Sequence, residues 1–219
     1  KDNSTKLIRS GLKRTEFMET SEPLFLTSGF VYNSAEEAED AFKERKKRFM
    51  YSRFGNPTVH MLQDKLADIE GAEVCWCTST GMAAVFTIFM SYLKKGDRVV
   101  AGRALFGSCH HIITKILPRF GIEVELIDGK DLNAWEKALK KRTSLIFFET
   151  PSNPCLEIID IEGVSKLAKK KEVLVVVDNV FATPLLQKPI KLGADLVMYS
   201  ATKHIDGQGR VLGGAILGK

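Results

Sequence analysis

Leu174-Val175-Val176-Val177-Asp178-Asn179 and, further along, Leu196-Val197-Met198-Tyr199-Ser200-Ala201-Thr202-Lys203-His204 decide the reading of this chain. In both, a short apolar run stops abruptly at polar residues. Runs of this length, bounded by turn signals and rich in Val, read as strands buried on both faces, the mark of a parallel sheet. The pattern recurs at 73–77, 98–101, 124–127, 145–148 and 215–217. With 174–177 and 196–199 these are the expected strands. Helices are expected between them at 81–92, 108–120, 132–140 and 161–171, with Gly96-Asp97, Gly121 and Gly193 at the turns. The alternation predicts an α/β fold: a mostly parallel, mixed sheet with helices on both faces.

Upstream, residues 1–50 read as an arm and a helix. Pro23 and Gly29 punctuate the arm, and Ser34-Ala35-Glu36-Glu37 is a capping-box start. Asn56-Pro57-Thr58 opens a second helix, 58–70, closed by Gly71. Two parts are expected: residues 1–56, an arm and helix, and residues 57–219, the large domain.

Composition narrows the class. The 219 residues suffice for one substantial α/β domain, and 44% hydrophobic with 27% charged residues argues against disorder and against a fibrous protein. No apolar run is long enough to span a membrane, and the polar opening Lys1-Asp2-Asn3-Ser4-Thr5-Lys6 is not a signal peptide. The chain does not start with Met, so residues upstream in the gene product are expected. Cys75, Cys77, Cys109 and Cys155 are scattered without zinc-ligand spacing and read as reduced thiols of a cytoplasmic protein. The formal charge of +5 is concentrated in Lys43-Glu44-Arg45-Lys46-Lys47-Arg48 and Lys169-Lys170-Lys171. Solvated helix faces and helix C-termini explain such runs better than nucleic-acid binding, because no nucleic-acid-reading module accompanies them.

In a sheet of this kind ligands gather beyond the carboxyl ends of the strands. Ser79-Thr80-Gly81-Met82, the 104–108 loop, the 149–154 loop, Asp178 and Ser200-Ala201-Thr202-Lys203 each end or follow a strand, so five strand ends meet on one rim. Their residue types suit pyridoxal 5′-phosphate (PLP). The Lys203 amine can form a Schiff base with the aldehyde. Asp178 can face the pyridinium nitrogen and keep it protonated, so that the ring accepts electrons. The Ser200 and Thr202 hydroxyls can bond the phosphate. Taken alone, each residue has another reading. Gly81 at a helix start favours an approaching anion, yet is also an ordinary strand-to-helix turn. Phe106 can stack on a ring or be one of thirteen phenylalanines in a core. Asp178 can cap a helix, and it is Lys203 that tips the balance. Tyr51 and Arg53 can clamp a phosphate, but their spacing alone says little. Gly207-Gln208-Gly209-Arg210-Val211-Leu212-Gly213-Gly214 misses the register of a dinucleotide-binding loop and reads as a turn into the last strand.

Five motifs in order, Tyr51-Ser52-Arg53 with Asn56-Pro57, Ser79-Thr80-Gly81-Met82, Glu149-Thr150-Pro151-Ser152-Asn153-Pro154, Val177-Asp178-Asn179 and Ser200-Ala201-Thr202-Lys203-His204, make the chain resemble the Cys/Met-metabolism group of fold-type I PLP enzymes. That group holds cystathionine γ-synthase, cystathionine lyases, methionine γ-lyase and the homoserine-ester sulfhydrylases. The resemblance implies the aspartate-aminotransferase-like large domain of a PLP-dependent transferase or lyase. It implies Lys203 as the Schiff-base lysine and the acid/base for the α-proton, and Asp178 at the pyridine nitrogen. Gly81, Met82, Ser200 and Thr202 would lie at the phosphate, and Asn153 near the 3′ oxygen. It also implies that Tyr51 and Arg53 reach the phosphate of a neighbouring subunit, in a homotetramer built from dimers.

Phe106 with the glycine-rich 207–214 stretch is most similar to the O-succinylhomoserine sulfhydrylases. They imply a homoserine ester and sulfide, or another thiol, as substrates, homocysteine as product and a place in methionine biosynthesis; the alternative readings are cystathionine γ-synthase or methionine γ-lyase chemistry and, outside that class, an inactive PLP-binding fragment. Two departures accompany the resemblance. The family usually stacks a tyrosine with a proton-transfer role where this chain has Phe106, and it implies a chain nearly twice as long. The C-terminal small domain, with the arginine for the substrate carboxylate, is absent from this sequence.

Overall fold

A computed structural model describes residues 2–219. The chain divides into two compact units, Lys1–Leu66 and Ala67–Lys219.

The first unit holds helices α1 (Asn3–Arg9) and α2 (Ala35–Phe42) and the start of α3 (Pro57–Glu70), which ends in the second unit. Ser34 caps α2 by accepting the Glu37 N–H, while the Glu37 carboxylate reaches back to the Asn33 N–H, one residue earlier than the capping box predicts. The Asn56 side-chain oxygen accepts the Thr58 N–H at the head of α3, and its side-chain nitrogen donates to the Phe25 carbonyl. The basic run 43–48 is drawn onto α2: Lys43 pairs with Glu39, Arg45 with Asp40 and Arg48 with Glu37. The run therefore follows the C-terminus of α2, where cations are favoured, rather than forming a helix face.

The second unit is a sheet of seven strands: β1 (Val74–Thr78), β2 (Arg98–Gly102), β3 (Glu123–Ile127), β4 (Leu145–Glu149), β5 (Leu174–Asp178), β6 (Leu196–Ser200) and β7 (Gly214–Gly218). All coincide with the expected strands to within a residue at each end. Their order is β1-β7-β6-β5-β4-β2-β3, and only β7 runs against the rest. Because β1 is antiparallel to β7, it points the same way as β6, and Thr78, Gly214 and Ser200 stand in register.

Helices α4 (Gly81–Tyr92), α5 (Gly107–His111), α6 (Leu132–Ala138) and α7 (Ile161–Lys169) and the short turn α8 (Thr183–Leu186) complete the unit. On α4, Gly81, Ala84, Val85, Ile88 and Phe89 are buried, the spacing of one helix face. Phe89 meets Phe147 of β4 at 5.2 Å between ring centroids, while Trp135 of α6 meets Phe148 on the opposite face of the same strand at 5.7 Å. The alternation along β4 thus turns successive phenylalanines to opposite layers.

The helix expected over 108–120 is broken into three. After α5 come a π turn (Ile112–Ile116) and a 3₁₀ turn (Leu117–Phe120). Cys109, Ile113 and Leu117 are all buried, and the wider turn keeps this four-residue spacing on one face. Pro118 lacks an N–H for the α ladder, and the Thr114 hydroxyl bonds the His110 carbonyl, which favours the break. Among the described residues no helix is long and apolar enough to cross a membrane.

Candidate active site

Strand alternation brings the site together. Leu145, Phe147 and Glu149 share one face of β4, Leu174, Val176 and Asp178 share one face of β5, and Leu196, Met198 and Ser200 share one face of β6. Leu145, Phe147, Val176, Leu196 and Met198 all belong to the core under α4 and α5. At the carboxyl ends the same faces therefore present Glu149, Asp178 and Ser200, with Glu149 directly opposite Asp178 in the β4–β5 register. A cavity of about 610 Å³ opens there. Gly81, Met82, Phe106, Asn153, Asp178, Ser200, Thr202 and Lys203, the expected site residues of this unit, all line it.

The acids set its electrostatics. Asp178 and Glu149 are both buried. Burial, then the neighbouring Glu149 carboxylate, push the Asp178 carboxyl up to about 8, against one hydrogen bond from the Val180 N–H. Burial also raises Glu149, opposed by N–H bonds from Phe106 at 2.6 Å and Asn153 at 3.0 Å. Among the described residues no Lys, Arg or His pairs with either acid. Burial, with the charges of Asp178 and Glu149, raises the Cys109 thiol as well, so it stays protonated and is no nucleophile. Lys203 lines the same cavity and makes no ion pair among the described residues.

The head of α4 suits an anion. The Thr80 side chain caps α4 by accepting the Ala83 N–H, which leaves the Gly81 and Met82 amides at the positive end of a twelve-residue helix. Gly81 packs against Ser200 so closely that a Cβ there would sit 2.6 Å from the Ser200 Cβ. The Thr202 hydroxyl accepts the Gly213 N–H at 3.1 Å and lies 3.4 Å from the Gly213 carbonyl, a long contact that leaves its proton able to turn to a ligand. Gly81→Ala is expected to push α4 off Ser200 and lower stability by about 1–3 kcal/mol, the usual cost of overpacking. Urea denaturation checks it; an unchanged midpoint contradicts the close approach.

Tyr51 and Arg53 belong to the first unit, where the Arg53 guanidinium lies 5.6 Å from the Tyr51 ring centroid and 5.0 Å from that of Phe54. The cavity lining described above comes from the second unit.

Sequence reasoning assigned no role to Glu149, although an acid ending a wholly apolar strand was a signal. It also missed a buried network behind Asp178. Tyr199 donates to Glu70 at 2.5 Å, Asn179 donates to the Tyr199 hydroxyl at 2.6 Å, and Gln187 donates to both the Asn179 side chain and the Thr150 carbonyl. Burial pushes Glu70 up to about 7.

Raised acids make the cofactor-free fold sensitive to alkali. The fold holds a proton on Asp178 until about pH 8 and on Glu70 until about pH 7, whereas the unfolded chain gives up both near about pH 4. Their contribution is therefore complete below about pH 4 and is lost as pH rises through the folded values, by roughly 1.4 kcal/mol per pH unit per site at most. The urea midpoint of the cofactor-free protein should fall between about pH 6 and about pH 8.5, and Asp178→Asn should flatten the fall. A midpoint that rises with pH contradicts this.

Residues 4–219 match the sequence profile of the family described as "Cys/Met metabolism PLP-dependent enzyme". An O-succinylhomoserine sulfhydrylase of Mycobacterium tuberculosis (strain CDC 1551 / Oshkosh) is 54% identical over 96% of this chain and 52% of its own length. An L-methionine gamma-lyase of Fusobacterium nucleatum subsp. polymorphum is 41% identical over 97% of this chain and 54% of its own. A crystal structure from Campylobacter jejuni subsp. jejuni NCTC 11168 that carries N′-pyridoxyl-lysine-5′-monophosphate superposes with a TM-score of 0.94 at 32% identity, over 100% of this chain and 54% of that one. The chain spans about half the length of the relatives it matches.

Proposed function

The chain belongs to the Cys/Met metabolism family of PLP-dependent enzymes, and from that premise we propose that the intact protein replaces the γ-substituent of an activated homoserine ester, converting O-succinylhomoserine and sulfide to homocysteine and succinate. The observation that carries the choice of substrate is the 54% identity to a protein named for that reaction.

The residues of the cavity fit PLP. Two buried acids without a cation stand side by side at one wall, a place that a protonated ring nitrogen suits. The helix amides beside Ser200 suit a phosphate, since a helix N-terminus favours an anion. When bound, PLP supplies a sink for the electrons left at the substrate α-carbon.

In this reading Lys203 anchors the cofactor, and its Nζ takes the substrate α-proton. Asp178 holds the proton of the ring nitrogen. Gly81, Met82, Ser200 and Thr202 hold the phosphate, and Asn153 lies at the 3′ oxygen. Phe106 forms an apolar wall against the ring; it has no hydroxyl, so proton movement on that side falls to Lys203. Tyr51 and Arg53 act on the site of a neighbouring copy in a homotetramer of dimers, with residues 1–56 as the contacting arm and 57–219 as the cofactor domain. The setting is cytoplasmic.

Substrate profiling tests the reaction. Succinate release from O-succinylhomoserine that requires sulfide supports γ-replacement. Methanethiol release from methionine as the main activity supports a lyase instead, the reading favoured by the 41% relative. Mixing inactive Arg53→Ala and Lys203→Ala subunits should restore activity, because some hybrid sites then hold both native groups; no restoration contradicts the shared site.

A further inference from the structure

Glu149 does more than fill a strand end. Its two carboxylate oxygens go to two different loops: one accepts the Phe106 N–H and the other the Asn153 N–H. Phe106 stands at the head of α5 and caps it with no side chain of its own; its carbonyl accepts the His110 N–H and its N–H goes to Glu149. The residue is 3% exposed and stands opposite Asp178 in the register. Both acids line the cavity, together with the titratable groups Cys109 of α5 and Lys203 and His204 of the loop after β6. No cation among the described residues balances the pair. Two buried acids side by side without a counter-charge ionise together only at a cost, and such arrangements mark places where a cationic ligand group binds.

We propose that Glu149 is a positioning residue of the cofactor site: it ties the Phe106 and Asn153 loops to one another and supplies a second negative charge, behind Asp178, facing the cofactor's ring nitrogen. This rests on the reading of the cavity as the PLP site. A glutamine in its place would keep the size and one acceptor. Its amide would set an N–H against one of the two backbone donors, and the charge would be gone.

The test uses the intact protein reconstituted with PLP and, in parallel, with a 1-deaza analogue whose ring carries carbon in place of nitrogen. Glu149→Gln is expected to weaken PLP binding by about tenfold or more, with a much smaller change for the analogue, because only PLP presents a ring cation. Glu149→Asp, which keeps the charge on a shorter arm, is expected to retain the wild-type preference for PLP over the analogue even if both bind less tightly. Equal losses for the two ligands in Glu149→Gln would make Glu149 a purely structural residue and overturn the proposal, as would wild-type binding by Glu149→Gln. Should Glu149→Gln not fold, Glu149→Ala, which removes the charge without setting an N–H against the backbone donors, is read in the same way: a selective loss of PLP binding supports the proposal and equal losses for the two ligands overturn it. Failure of the wild type to take up PLP would instead overturn the underlying reading of the cavity.

Discussion

Replacing Lys203 with alanine is expected to abolish covalent attachment of the cofactor and to lower turnover by about 10³-fold or more. A positioned proton-transfer group alone contributes roughly 10²–10⁴-fold, and here the same amine also serves as the anchor. Lys203 is the one lysine among the residues that line the cavity. Its backbone is held on both sides, since its N–H donates to the Ser200 carbonyl at 3.3 Å and its carbonyl accepts the Gly207 N–H at 2.8 Å. The side chain is exposed and makes no ion pair among the described residues, so its removal should leave the unfolding midpoint unchanged. Loss of activity with an intact fold is what the reading requires. Full activity in Lys203→Ala, measured as succinate release, would contradict it.

Asp178→Asn is expected to lower turnover by about 10²-fold or more while leaving the cofactor attached, the scale found when one preorganised electrostatic group is removed. The substitution keeps the shape and an oxygen for the Val180 N–H, but discards the negative charge next to Glu149. A ring nitrogen facing a neutral amide holds its proton less tightly, and electron withdrawal weakens with it. Two measurements bear on this: single-turnover rates, and the ultraviolet-visible spectrum of the bound cofactor across pH, whose transition should move to lower pH in the variant. Turnover within a factor of two of wild type would remove Asp178 from the account.

The strands were legible because their signal is local. Val173-Leu174-Val175-Val176-Val177 between Glu172 and Asp178 can hardly be anything but a buried strand, and the alternation within it already implies which way Asp178 points. The head of α4 was legible for the same reason, since Thr80-Gly81 directly follows a strand. The order of the strands was not: nothing near β3 says that it lies at an edge beyond β2, or that β7 reverses and inserts between β1 and β6. Glu149 was visible as a strand-ending acid, but its partners Phe106 and Asn153 become its partners only once the sheet places two loops together. The network from Glu70 through Tyr199 to Gln187 was hidden for the same reason, because Glu70 and Tyr199 meet only through the fold. The broken helix after α5 shows the opposite failure. Periodicity alone gave one continuous helix, and Pro118 with the Thr114 back-bond divided it.

The most direct test of the account is borohydride reduction of the PLP-treated intact protein, followed by peptide mass mapping. The account predicts one reduced pyridoxyl group per chain, carried on the peptide that contains Lys203, and none in Lys203→Ala. A pyridoxyl group on any other lysine, or none at all on a protein that has been incubated with PLP, would contradict it.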